Sequence, residues 1–151
     1  MKFYLVRHGE AVAENIDGER PLSRAGREEV AQVARLAVKK NVQVSTIFHS
    51  GILRARQTAE ILAERLRPPQ GIAPMQGLLP QDDPAWAAAE LAAAQDPIML
   101  VGHLPYMGRL AAHLVTGDSD REIVAFAPAT LVCCAHEALL WHVEWILAPL
   151  S

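Results

Sequence analysis

The stretch Phe3-Tyr4-Leu5-Val6-Arg7-His8-Gly9 decides how the chain is read. Its four consecutive apolar residues read as a short buried strand over residues 2–6. Arg7, His8 and Gly9 stand where that strand ends and a loop begins. The arrangement recurs at Ile98-Met99-Leu100-Val101, followed by Gly102-His103-Leu104-Pro105. In open α/β sheets ligands bind at the carboxyl edge of the strands. Both histidines therefore fall on the edge where a site would lie.

Outward from these two runs, strand and helix patterns alternate. Residues 10–22 are polar, contain Asp17-Gly18 and Pro21, and read as a loop. Ser23 is placed to cap a helix running to about Lys39, with Val30, Val33, Ala34, Ala37 and Val38 as its buried face. Val44 to Phe48 reads as a second strand. Residues 52–66 read as a second helix with the stripe Ile52, Ala55, Ala59, Leu62, Ala63 and Leu66, stopped by Pro68-Pro69. A loop through Pro74, Gly77, Pro80 and Pro84 leads to an alanine-rich helix at about 85–94. Residues 98–102 form a third strand. Residues 105–116 form a helix with Leu110, Ala111, Leu114 and Val115 inward. Two β-like runs follow, 129–135 and 140–147. In the second, Trp141, Val143 and Trp145 alternate with His142, Glu144 and Ile146. Their connection is too short for a parallel crossover, so they are expected as antiparallel neighbours. The predicted fold class is α/β: a three-layer α/β/α sandwich with a mostly parallel central sheet and an antiparallel C-terminal strand pair.

The bulk numbers agree with this reading. The 151 residues, with no repeat, low-complexity tract or linker, are read as one domain spanning 1–151. A chain of that length buries roughly 70% of its extended surface on folding. The hydrophobic share of 51% and the charged share of 21% are those of an ordinary globular protein. No apolar stretch approaches the ~20 residues that span a bilayer. Arg7, His8 and Glu10 interrupt the first apolar run before it reaches the length of a signal-peptide core. A cytoplasmic location with no membrane partner is expected. The net charge of -3 argues against a nucleic-acid partner. It also means that phosphate attraction must come from locally clustered arginines. Cys133 and Cys134 are adjacent in an apolar run, so their side chains would point to opposite faces of a strand. They are read as buried thiols, not as a disulfide or a metal pair.

The chemistry-bearing residues are Arg7, His8, Arg54 and His103. A neutral imidazole is a competent nucleophile near neutral pH. Attack by His8 on phosphorus would leave a phosphohistidine on the protein. Phosphoryl transfer rests on positioning and on stabilising charge over the equatorial oxygens. Arginine suits that task, because its planar fork binds phosphate bidentately and stays charged. Arg7 adjoins His8. Arg54 lies at the start of the second helix, whose N–H groups could add to the same anion site. His103 could donate a hydrogen bond to the phosphoryl group, best when protonated. Taken singly, each of these residues has an ordinary reading as a solvated or packing side chain. Arg56, two residues from Arg54, points to another helical face and is expected in solvent.

The combination resembles a known family. Arg7-His8-Gly9 behind a strand, Arg20-Pro21-Leu22-Ser23-x-x-Gly26, the Ser-x-x-x-Arg-Ala-x-Gln-Thr pattern at 50–58 and Gly-His-x-Pro at 102–105 are similar to the histidine phosphatase, or phosphoglycerate-mutase-like, superfamily. Among its branches the chain most resembles the SixA-type phosphohistidine phosphatases. The resemblance implies that His8 is the phosphorylated nucleophile. It implies that Arg7, Arg54 and His103 form the phosphate pocket, and that Arg20 binds substrate there too. Ser50, Gln57 and Thr58 are expected to orient the loop and helix. No metal or other cofactor is implied. The implied partner is a phosphohistidine-bearing phosphorelay or phosphotransfer protein.

One departure from the wider superfamily is informative. Many members carry a glutamate acid in the stretch that here reads Gly77-Leu78-Leu79-Pro80-Gln81-Asp82-Asp83-Pro84, which has no glutamate; the SixA-like branch shares this absence. An alkoxide needs an acid in order to leave. An imidazole can be protonated on its other nitrogen near neutral pH and leaves as a neutral ring. Asp82 and Asp83 are candidate acids, but aspartates before a proline usually serve turns and caps. A short chain also has little room to roof its pocket, which favours a phosphorylated side chain on a protein over an enclosed small ligand. The alternatives are a phosphatase for small phosphomonoesters or phosphoramidates, a non-catalytic phosphate-reading module, and a metal-dependent hydrolase using several of the six histidines. No His-x-x-x-His or Cys-x-x-Cys spacing supports the last.

Overall fold

The structure is a computed structural model and describes residues 1–150. Ten elements follow in the order β1 (Lys2–Arg7), α1 (Arg24–Lys39), β2 (Thr46–His49), α2 (Leu53–Leu66), β3 (Ile72–Pro74), α3 (Pro84–Ala93), β4 (Ile98–Gly102), α4 (Tyr106–Thr116), β5 (Leu131–Glu137) and β6 (Leu140–Leu147). One sheet takes the strand order β3-β2-β4-β1-β5-β6. β3, β2, β4 and β1 run parallel, while β5 is antiparallel to both β1 and β6.

The period-2 alternation of the central strands sorts their side chains between two cores. Tyr4, Val6, Met99, Val101 and Cys133 pack with Val30, Val33 and Ala34 of α1 and Ala55, Ala59 and Leu62 of α2. Phe3, Leu5, Leu100, Val132 and Cys134 pack with Leu91 of α3 and Tyr106, Met107 and Leu110 of α4. This is the three-layer sandwich the pattern predicted, with the two cysteines on opposite faces. Each fully buried side chain of this size contributes on the order of 2 kcal/mol, so β1 and β4, buried on both faces, are the best-anchored strands.

The structure differs from the sequence reading in three places. Ile72–Pro74, read as loop, is a three-residue edge strand; it is too short to show a period, and Pro74 is tolerated because it lies on an edge. Val38 is exposed; the helix buries positions 30, 33, 34 and 37, and Val38 falls a further 100° around the axis. In β6 the alternation is broken. Cys133 pairs with Trp145 and Cys134 with Val143, which leaves Glu144 as an extra residue. Trp141 and Val143 therefore pack on one core and Trp145 and Leu147 on the other.

The loop between β1 and α1 is tied down along its length. Ser23 caps α1 by accepting from Gly26 N at 3.0 Å, and its hydroxyl donates to Glu10 Oε1 at 2.9 Å. Ser23 N donates to Glu10 O, and Val12 N to Pro21 O. Gly26 permits this closeness: a Cβ there would overlap the Glu10 carbonyl. Gly9 sits over the same turn, where a Cβ would lie 2.7 Å from Val30 Cγ2 and 3.1 Å from Gly26 O. The glycine of the Arg20–Gly26 pattern thus lets backbone meet backbone directly behind His8.

Gly26→Ala is expected to destabilise the protein by on the order of 2 kcal/mol, because the obstacle is backbone and cannot rotate away. That corresponds to a fall in melting temperature of about 5 °C in a chain of this size. An unchanged melting temperature would show that the loop lifts off α1 at no cost.

Candidate active site

Parallel pairing of β1 with β4 sets Arg7 opposite Gly102. His8 and His103, each one residue further on, are therefore delivered to the same edge. His8 N donates to Gly102 O at 2.9 Å. The two imidazole centroids are 5.1 Å apart. β2, on the other side of β4, ends at His49, so Ser50 and the start of α2 reach the same edge.

α2 is locked against the His8 turn through Thr58. The Thr58 hydroxyl accepts from Gly9 N at 3.1 Å and donates to Arg54 O at 2.8 Å. Gln57 Oε1 accepts from Leu22 N at 2.8 Å and holds the end of the long loop. Ser50 Oγ accepts from Ile52 N at 3.2 Å and lies 2.6 Å from His103 Nε2. Ser50, Gln57 and Thr58 thus orient the loop and helix, as the pattern suggested. No side chain caps α2; Ala55 N and Arg56 N both donate to the Ile52 carbonyl.

The hydrogen bonds define the state of His8. Its Nδ1 lies 2.6 Å from Gly9 O. A carbonyl only accepts, so Nδ1 carries the proton. Arg54 Nε donates to His8 Nε2 at 3.4 Å, so Nε2 is the bare nitrogen, with its lone pair facing the guanidinium. Burial pushes the His8 pKa down to about 4, and the charges of Arg54, Arg7 and Arg20 push the same way against the Gly9 hydrogen bond. The ring is neutral at pH 7.

His103 is more deeply enclosed. Burial, then His8 and Arg54, bring its pKa down to about 3. Its Nδ1 is buried without a hydrogen-bond partner. The Ser50 hydroxyl accepts from Ile52 N; when it donates its own proton to His103 Nε2, the imidazole proton lies on the unpartnered Nδ1. Arg7 Nη1 donates to Phe126 O at 2.8 Å, while its Nε is a second buried donor with no acceptor. Burial lowers the pKa of Arg7 and of Arg54, and for Arg54 the charge of Arg20 adds to this.

Arg20 reaches the site from the long loop. It adopts φ 52°, and its Nε donates to Val12 O at 3.1 Å. Its charge is felt at both His8 and Arg54. The structure therefore gathers all five residues, Arg7, His8, Arg20, Arg54 and His103, at one edge. Arg56 is exposed. His49 is buried and accepts from Gly51 N at 3.0 Å, a packing role. Asp82 Oδ2 accepts from Leu79 N and Asp83 Oδ1 from Ala85 N, each at 2.9 Å, so one closes a turn and the other caps α3. Sequence reasoning missed Phe126, whose carbonyl steers Arg7; a backbone acceptor in an irregular segment leaves no side-chain signal.

The chain matches the histidine phosphatase superfamily (branch 1) over residues 3–78. It is 35% identical over 133 residues to an uncharacterized protein of Picosynechococcus sp., an overlap of 82% of this chain and 78% of that one. It is 29% identical over 136 residues to the phosphohistidine phosphatase SixA of Escherichia coli, covering 87% of this chain and 84% of the relative. Among solved structures, the protein histidine phosphatase SixA complexed with tungstate superposes with a TM-score of 0.87 at 25% identity, covering 99% of this chain and 97% of that one.

The electrostatics can be read in solution. At pH 5.5 the nitrogen-15 spectrum of His8 is expected to show a neutral ring protonated on Nδ1; a protonated ring would mean that burial does not control it. The unfolded chain takes up this proton near pH 6.5 and the folded one only near 4. Acid therefore favours the unfolded state, and stability falls as pH drops from 6.5 toward 4. A flat melting-temperature profile over that range would contradict the assignment.

Proposed function

The chain belongs to the histidine phosphatase superfamily, and from that premise we propose that this single-domain protein is a metal-independent phosphatase acting in the cytoplasm on protein phosphohistidine through a phospho-His8 intermediate. The observation that carries the reading is a set of anion-seeking donors around one bare nitrogen. Arg7 Nε and His103 Nδ1 are buried and unpartnered, and Arg54 donates to the His8 lone pair at 3.4 Å. Leaving a buried donor unpaired costs about 1–3 kcal/mol. A phosphoryl group would satisfy both donors and draw Arg54 off Nε2. Its negative charge would also raise the His103 pKa and favour the protonated donor.

In this mechanism the His8 Nε2 lone pair attacks phosphorus. The phosphorus–nitrogen bond of the substrate breaks, and the substrate imidazole, protonated on its other nitrogen, leaves as a neutral ring. Water then attacks phospho-His8. The bond from phosphorus to Nε2 breaks, and the electron pair returns to a ring whose Nδ1 is already protonated and held by Gly9 O. His8 thus leaves as a neutral imidazole without a separate acid, and phosphate departs. Asp82 and Asp83 are engaged in a turn and a cap, in keeping with a substrate that needs no carboxylic acid. The tungstate complex of the structural relative supports the reading, since tungstate, like phosphate, is a tetrahedral oxyanion. Among the described residues no helix is long and apolar enough to cross a membrane.

The deciding measurement is phosphate release from a phosphohistidine-bearing protein in the presence of a chelator. Wild type is expected to release phosphate and His8→Ala to release none, with the fold retained. Release by His8→Ala near the wild-type rate would sink the nucleophile assignment. Absence of release by wild type, with turnover of phosphomonoesters, would favour a small-molecule phosphatase; tight binding with no turnover of either would favour a phosphate-reading module. Arg54→Lys is expected to lose at least ~100-fold in kcat/KM, because lysine cannot reproduce the bidentate fork.

Replacing Asp82 and Asp83 together with Asn, which keeps an acceptor oxygen for the turn and the cap, is expected to leave phosphohistidine turnover within about twofold. A loss of about tenfold or more with the fold retained would mean that one of the two carboxyl groups acts as an acid in the reaction.

A further inference from the structure

A cavity of about 350 Å³ opens beside the active site, between the start of α4 and the segment leading into β5. Its apolar lining is Leu104, Pro105, Val124 and Phe126, and its charged lining is Arg109, Asp120 and Glu122. Both walls adjoin the phosphate site. Leu104 directly follows His103, and the Phe126 carbonyl accepts from Arg7 Nη1 at 2.8 Å. Asp120 and Glu122 are exposed, and among the described residues no ion pair engages them or Arg109.

Gly108 lines the same cavity. It lies inside α4, without the positive φ that would call for glycine, and a Cβ there would meet nothing within 4 Å. Gly9, Gly26 and Gly102 differ, since a Cβ at each would strike a neighbour. Gly108 is the third residue of α4, and glycine is among the poorest helix formers. At position 108 neither backbone nor packing requires one. Its effect is to keep a side chain out of the cavity.

The two neighbouring sites have opposite sign. The phosphate site is lined by Arg7, Arg20 and Arg54, whereas Arg109, Asp120 and Glu122 sum to a net charge of about -1 at neutral pH. A cavity that combines apolar walls with two carboxylates against one guanidinium suits a long side chain with a methylene stem and a cationic head. We propose that this cavity is a recognition subsite for the phosphoprotein, taking a lysine or arginine side chain that lies close to the phosphorylated histidine. The proposal rests on the phosphohistidine reading of the adjoining site. It makes the protein a reader of the sequence around the phosphohistidine as well as of the phosphate.

The test uses free phosphohistidine and three synthetic peptides, each with one phosphohistidine and with lysine, alanine or glutamate at the positions within four residues of it. Wild type is expected to favour the lysine peptide over the glutamate peptide by about tenfold in kcat/KM, a difference of ~1.4 kcal/mol. Gly108→Leu should erase that ranking and leave turnover of free phosphohistidine within about twofold, since the leucine fills the subsite and not the phosphate site. The exposed pair Asp120→Asn/Glu122→Gln should erase it too, and serves if the leucine variant misfolds. Equal turnover of the three peptides by wild type would overturn the subsite while leaving the phosphohistidine reading intact. So would a ranking that survives both variants. Failure of wild type to turn over any peptide or free phosphohistidine would overturn the phosphohistidine reading, and the subsite with it.

Discussion

The parallel register of β1 on β4 is the constraint from which the rest of the site follows. With Arg7 opposite Gly102, the two strand ends release His8 and His103 side by side. Both strands are buried on both faces, so a slip of one residue would turn every core side chain to the wrong layer. The spacing of the two imidazoles is thereby enforced by hydrophobic packing far larger than any interaction between them. α2 is then referred to the same strand end through Thr58, which holds the Gly9 amide and the Arg54 carbonyl at once.

What that constraint holds together is electrostatically uncomfortable. Three arginines converge on two buried imidazoles, with no carboxylate hydrogen-bonded or ion-paired to any of the five among the described residues. The imidazoles respond by giving up their protons, to about pKa 4 and 3. The guanidiniums cannot do the same near neutral pH. The protein therefore stores a local positive field that an oxyanion relieves, although the chain as a whole is negative. Preorganised donors of this kind need no rearrangement when charge develops on phosphorus. In the proposed subsite, the adjoining cavity with its opposite formal sign and Gly108 wall extends the same logic from the phosphate to its carrier.

Much of this was legible in the residues themselves. The apolar runs at 3–6 and 98–101 marked the central strands because burial on both faces needs continuous hydrophobicity. Ser23, Pro68-Pro69 and the helical stripes marked helix ends and faces. Asp82 and Asp83 read as turn and cap residues, and their hydrogen bonds are those of a turn and a cap. Other features were not legible. A three-residue edge strand shows no period. The bulge at Glu144 obeys the pairing needs of Cys133 and Cys134 on the neighbouring strand, which the local pattern of β6 does not contain.

The sequence by itself determined the layer architecture and placed Arg7, His8, Arg54 and His103 near strand ends, because hydrophobic period and residue type are local properties written along the chain; Arg20 was legible only through the family resemblance. The tertiary structure alone decided the state and reach of those side chains. The bare Nε2 of His8 depends on the Gly9 carbonyl and on Arg54, 46 residues away. The aim of Arg7 depends on the Phe126 carbonyl, 119 residues away. The approach of Gly26 to Glu10, and the cavity left open by Gly108, exist only once separate segments are packed. Desolvation and hydrogen-bond pairing are properties of the folded surroundings, so no reading of residue order could have contained them.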